Sequence, residues 1–140
     1  MEYKRFDSTI VVRLFKGEEI LEQLKAIAQK ENIKLGQING LGATDNFTVG
    51  AYSLDEKMYH KNSFKGTYEI VSLHGNISTM NNEIYLHVHM SCANEKGNVV
   101  GGHLNECFIS ATCEIFINIV DGFVDRKVDT QTGLNILDLA

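Results

Sequence analysis

Across residues 108–120 the positions Ile109, Ala111, Cys113, Ile115, Ile117 and Ile119 form one apolar set, while Thr112, Glu114 and Asn118 fall between them. A side-chain period of two belongs to a strand with one face in a core and the other outside it, so this segment commits the chain to a half-buried antiparallel sheet. Residues 84–92 repeat the pattern. Ile84, Leu86, Val88, Met90 and Cys92 share one face, and Tyr85, His87, His89 and Ser91 share the other. Two histidines therefore stand together on the face opposite the core.

The remaining pattern fits the same architecture. Residues 8–15 read STIVVRLF, a β-branched run that suits a first strand. In residues 18–32, Ile20, Leu21, Leu24, Ile27 and Ala28 recur at helical spacing, with Glu18, Glu19 and Glu22 near the positive end of the helix dipole. Further strands are predicted at 34–42, 47–54, 67–77 and 99–104. Gly36, Gly40, Gly42 and Gly50 mark bulges or close backbone approach. Residues 78–82 read as a turn, and the segment after Val120 as a short polar tail turning at Gly122 and Gly133. The expected fold is α/β of the α+β type, a mainly antiparallel β-sheet packed against one principal helix. The 140 residues suit a single domain spanning 1–140.

Composition narrows the function classes. The formal net charge is −5, so a nucleic-acid interface would need a local basic patch to overcome the overall field. Proline is absent where average usage predicts roughly seven, which excludes proline-rich linkers and recognition segments. No apolar run approaches the ~20 residues that cross a bilayer, and the start of the chain lacks an apolar leader pattern. A cytoplasmic protein with no membrane partner is expected. Cys92, Cys107 and Cys113 lie within apolar patterns, without paired metal-knuckle spacing, and read as buried reduced thiols.

The turn Asn94-Glu-Lys-Gly-Asn98 centres a hairpin on Lys96, which sets His89 directly opposite His103. Opposed side chains on neighbouring strands have Cβ atoms ~5 Å apart, and His87 stands two residues along on the same face. Three imidazoles can then converge, as in the open zinc sites that keep a fourth position for water or substrate. A slip of one residue would turn His103 to the wrong face. The alternative is three ordinary polar-face histidines satisfied by water or carbonyls. His60, among Lys57, Lys61 and Lys65, and His74 are expected to lie outside any ligand set.

At Tyr68-Glu-Ile-Val-Ser-Leu-His-Gly75, Leu86-His-Val-His89, Gly97, Val99-Val-Gly-Gly-His-Leu104 and Thr112-Cys-Glu-Ile115, the chain resembles the PPC domain family shared by plants and prokaryotes. The opening strand, the helix and Asn39-Gly-Leu-Gly-Ala43 follow the same order. The resemblance implies a homotrimer and a divalent, zinc-like metal on His87, His89 and His103. It also carries a DNA-binding label, which in plant members rests on an Arg-Gly-Arg hook that this sequence lacks. Self-association, other protein partners and a regulatory role suit the chain better than sequence-specific DNA binding. The fold is similar, too, to that of acetolactate decarboxylase, which implies as the alternative a metal-dependent lyase or hydrolase acting on a small anionic metabolite. On that reading Glu114 is the candidate catalytic acid or base, against a structural hydrogen bond or intersubunit ion pair.

Overall fold

The computed structural model describes all of residues 1–140. The chain runs β1 (Glu2–Phe6), β2 (Thr9–Phe15), α1 (Ile20–Lys30), β3 (Gly36–Ser53), β4 (Met58–Met80), β5 (Glu83–Asn94), β6 (Val99–Ile119), β7 (Arg126–Val128) and β8 (Asn135–Leu137). Six strands pair antiparallel in the order β1-β2-β6-β3-β4-β5, and β5 also pairs with β6. The circuit β6-β3-β4-β5-β6 is therefore closed. The α+β class expected from the sequence is the class observed.

One strand makes the closure possible. Along residues 112–118, β6 lies between β2 and β3; along 99–103 it lies against β5 instead. Asn105 separates these two stretches. Thr48 pairs with Glu106 and Val49 with Leu104, so Asn105 is an extra residue in the ladder. A bulge of this kind reverses side-chain parity. Cys107, Ile109, Cys113, Ile115 and Ile117 point inward on odd numbers, whereas above the bulge Leu104 points inward and His103 outward. Ala111 falls on the exposed side despite its place in the apolar series, a local departure from the alternation.

Twenty-three buried apolar residues form one contiguous cluster, including Ile10, Val12 and Leu14 of β2, Leu24 and Ile27 of α1, Phe47 of β3, Leu73 of β4 and Met90 of β5. The helix is tied to this sheet by its own cap. Glu19 accepts from the Glu22 amide at 2.7 Å and, through its other oxygen, from the Cys107 amide at 2.9 Å, just beyond the bulge. All three cysteines are free and buried. Burial pushes each thiol up to about 12, which keeps it protonated and inert.

Several boundaries differ from the sequence reading. The segments 34–42 and 47–54 are one strand, β3, interrupted by register shifts near Gly42 and Asn46. Residues 99–104 and 108–120 likewise join into β6. Strand β4 begins nine residues before position 67, extending β3 and β4 into an exposed arm. Strand β1 precedes the expected first strand, because an edge strand such as EYKRF has only one paired side and carries no apolar alternation. The C-terminal tail contains the β7–β8 hairpin. No helix is long and apolar enough to cross a membrane.

Candidate metal centre

The expected register is the observed one: His89 pairs with His103, and Ala93 with Val99 at the other end of the hairpin ladder. Asn94 fixes the turn by accepting from the Lys96 and Asn98 amides at 3.0 Å, and Gly97 takes φ 79°, which favours glycine. On the outward face the His87 and His103 ring centroids are 5.2 Å apart, and those of His89 and His103 are 5.5 Å apart. One ring nitrogen from each of the three lies within 4.8 Å of the others.

These residues fit a tetrahedral ion. Two imidazole nitrogens at ~2.0–2.1 Å from one tetrahedral centre stand roughly 3.3 Å apart. The Nε2 atoms of His87 and His89 are 3.2 Å apart. Burial, reinforced by His103, Arg126 and His89, holds His87 down to about 4, and burial with His89 also lowers His103. Both rings are therefore neutral near pH 7, the state in which an imidazole offers a lone pair.

Close backbone packing sets the rings. A Cβ on Gly102 would come within 2.5 Å of the Gly50 carbonyl, and one on Gly101 within 2.5 Å of the Met90 carbonyl. Glycine at these positions lets β3, β5 and β6 crowd together beside His103. Tyr59 supports that histidine from β4: its ring meets the imidazole edge-on at 6.1 Å, and its hydroxyl donates to Asn105 Oδ1 at 3.0 Å.

The three histidines line a cavity of about 820 Å³. Its other walls come from Tyr52 and Tyr59 on the β3–β4 arm, Asn76 and Tyr85, and from Arg126, Leu134 and Leu137 of the C-terminal hairpin. Sequence reasoning placed Tyr85 on the histidine face without assigning it to the site, and missed Tyr59 and Arg126, which lie far from the histidine motifs along the chain. An arginine in a polar tail gave no sign that it folds back over the sheet.

Glu114 is not brought to this cluster. It is exposed on β6, paired with Arg13 of β2 and Leu41 of β3, eleven residues beyond His103 and so roughly 30 Å along the strand. His74 sits opposite His89, with ring centroids 6.4 Å apart, but outside the converging three, and its Nδ1 meets Ser72 Oγ at 3.1 Å. His60 is exposed and pairs with Glu56 at 2.6 Å.

Fold and site together define a small antiparallel-sheet protein that presents three converging histidines to a cavity. The chain belongs to the Plants and Prokaryotes Conserved (PCC) domain family, the family written PPC above, whose pattern matches residues 1–121. A Pyrococcus horikoshii plant- and prokaryote-conserved (PPC) protein is 34% identical, with TM-score 0.86, covering 99% of this chain and 94% of that one. A Bacteroides thetaiotaomicron protein described as a "putative DNA binding protein" is 30% identical, with TM-score 0.95 and coverage of 98% and 96%. A protein of Archaeoglobus fulgidus described as metal-containing is 28% identical, with TM-score 0.87 and coverage of 97% and 96%. No curated protein matches.

Proposed function

We propose that this chain is a homotrimeric, cytoplasmic metal-binding protein in which His87, His89 and His103 hold a zinc-like divalent ion against the cavity, where it meets a small molecule. The observation that carries this reading is the convergence of three imidazole nitrogens on the wall of an 820 Å³ cavity rather than in a sealed core. The description of the Archaeoglobus relative as metal-containing supports the metal. When bound, such an ion supplies Lewis-acid polarisation of a carbonyl or carboxylate oxygen and acidifies a coordinated water. The chain supplies three imidazoles, neutral at His87 and His103, and Tyr59 to hold the His103 ring. Within one chain, Glu114 lies away from this site.

The trimer is supported by the outer face of the sheet, where Leu41 and Phe116 are 57% and 50% exposed on neighbouring strands. Elemental analysis of purified protein beside a His87→Ala/His89→Ala/His103→Ala variant tests the metal. About one ion per chain is expected in the first and none in the second, and equal content in both overturns the assignment.

A regulatory, DNA-binding reading has its own support in the description of the Bacteroides relative and in Lys57, Lys61 and Lys65, all exposed on the β3–β4 arm. The net charge of −5 opposes it. A gel-shift titration decides: no complex at low ionic strength, where phosphate contacts are strongest, ends that reading.

A further inference from the structure

Arg126 is 7% exposed and has no carboxylate partner. Its Nε donates to Ser78 Oγ at 2.8 Å, Nη1 to the Asn135 carbonyl at 2.7 Å and Nη2 to Asn76 Oδ1 at 2.8 Å. Its guanidinium carbon lies 4.5 Å from the Tyr85 ring centroid. Three of its five N–H groups are thus committed to neutral oxygens, leaving one on each terminal nitrogen. An arginine so deeply buried is ordinarily balanced by an acid. Here the side chain instead lines the cavity that holds the three histidines, and none of the 18 acidic residues of the chain lines that cavity. Tyr52, Tyr59, Tyr85, Leu134 and Leu137 make much of the remaining wall aromatic or aliphatic.

We propose that Arg126 is the carboxylate receptor of this cavity, and that its ligand is an organic acid with an apolar body and a carbonyl or hydroxyl oxygen directed to the three-histidine centre. The class follows from the walls. A planar guanidinium with one free N–H on each terminal nitrogen matches the two oxygens of a carboxylate. The aromatic and leucine walls exclude water around a hydrocarbon body, which inorganic phosphate does not have. The low-dielectric surroundings strengthen the attraction. Arg126 lies beyond residues 1–121, so this receptor belongs to the C-terminal hairpin rather than to the matched family segment.

The inference rests on the proposed site but is separable from it by experiment. Calorimetric titration of the purified protein, zinc-loaded and metal-free, uses 4-methyl-2-oxopentanoate, its neutral amide and inorganic phosphate. The acid is expected to bind at least tenfold tighter than the amide in both forms, and tighter than phosphate. Arg126→Gln is expected to lose at least tenfold for the acid and little for the amide, with zinc content unchanged. Arg126→Lys, which keeps the charge and loses the fork, is expected to recover only part of the affinity. Equal binding of acid and amide by the unaltered protein overturns the proposal without reference to any variant. Phosphate binding as tightly as the acid overturns the organic ligand class. Purified protein that takes up no zinc yet still prefers acid to amide sustains the Arg126 receptor while removing the metal reading.

Discussion

His87 is the residue whose environment does most to define the site. Burial, reinforced by His103, Arg126 and His89, holds it down to about 4, so in metal-free protein it stays neutral while the unfolded chain's histidines protonate near 6.5. The unfolded state then binds more protons through that interval. The stability associated with the neutral ring is present in full above pH 6.5 and is lost as pH falls toward about 4. Urea midpoints of the metal-free protein are expected to drop between pH 7 and 5.5, a range above most carboxylate titration. The drop is expected to shrink in His87→Gln. An NMR titration placing the His87 midpoint near 6.5 would contradict this partly buried setting beside Arg126. Gly102 makes the complementary case for backbone. Gly102→Ala forces a methyl against the Gly50 carbonyl and is expected to cost about 1–3 kcal/mol in denaturant titrations, with weakened zinc binding because β6 shifts beside His103.

Strand β6 shows what a sequence does and does not disclose. Its pairing with β5 was legible because Asn94 to Asn98 form a short turn that fixes register, and His89 then falls opposite His103. The alternation of residues 113–119 was legible because one face is buried. The bulge at Asn105 was not, since nothing local marks it and the contact beside it comes from far away in sequence: Glu19, at the helix start, accepts from the Cys107 amide. That carboxylate caps α1 and satisfies a buried sheet donor at once. Glu19→Ala is therefore expected to destabilise the protein by about 2–4 kcal/mol, the loss of a cap together with an orphaned amide. Equilibrium unfolding checks the value, and a loss under 1 kcal/mol would show that solvent replaces both contacts. Arg126 was illegible for a related reason. Its hairpin is short and polar, and only the tertiary fold brings it to Ser78 and Asn76.

At the scale of the whole molecule, a negative net charge opposes a nucleic-acid partner, and exposed Leu41 and Phe116 give the proposed self-association a surface to use. Phe116→Asp is expected to lower the sedimenting mass from about three chains toward one, by placing a charge on each copy of the contact. An unchanged mass would move the interface elsewhere. The closed circuit of four strands has one weak join. Strands β5 and β6 share only five residue pairs, against twelve between β4 and β5 and more on the other two joins. Such a short zipper is where the ring is expected to open first in native-state hydrogen exchange. His89 and His103 are its terminal pair, one on each lip, with His87 just outside. An ion gripping both would act as a clasp, so that adding or withdrawing zinc is expected to slow or quicken exchange at that end of the join.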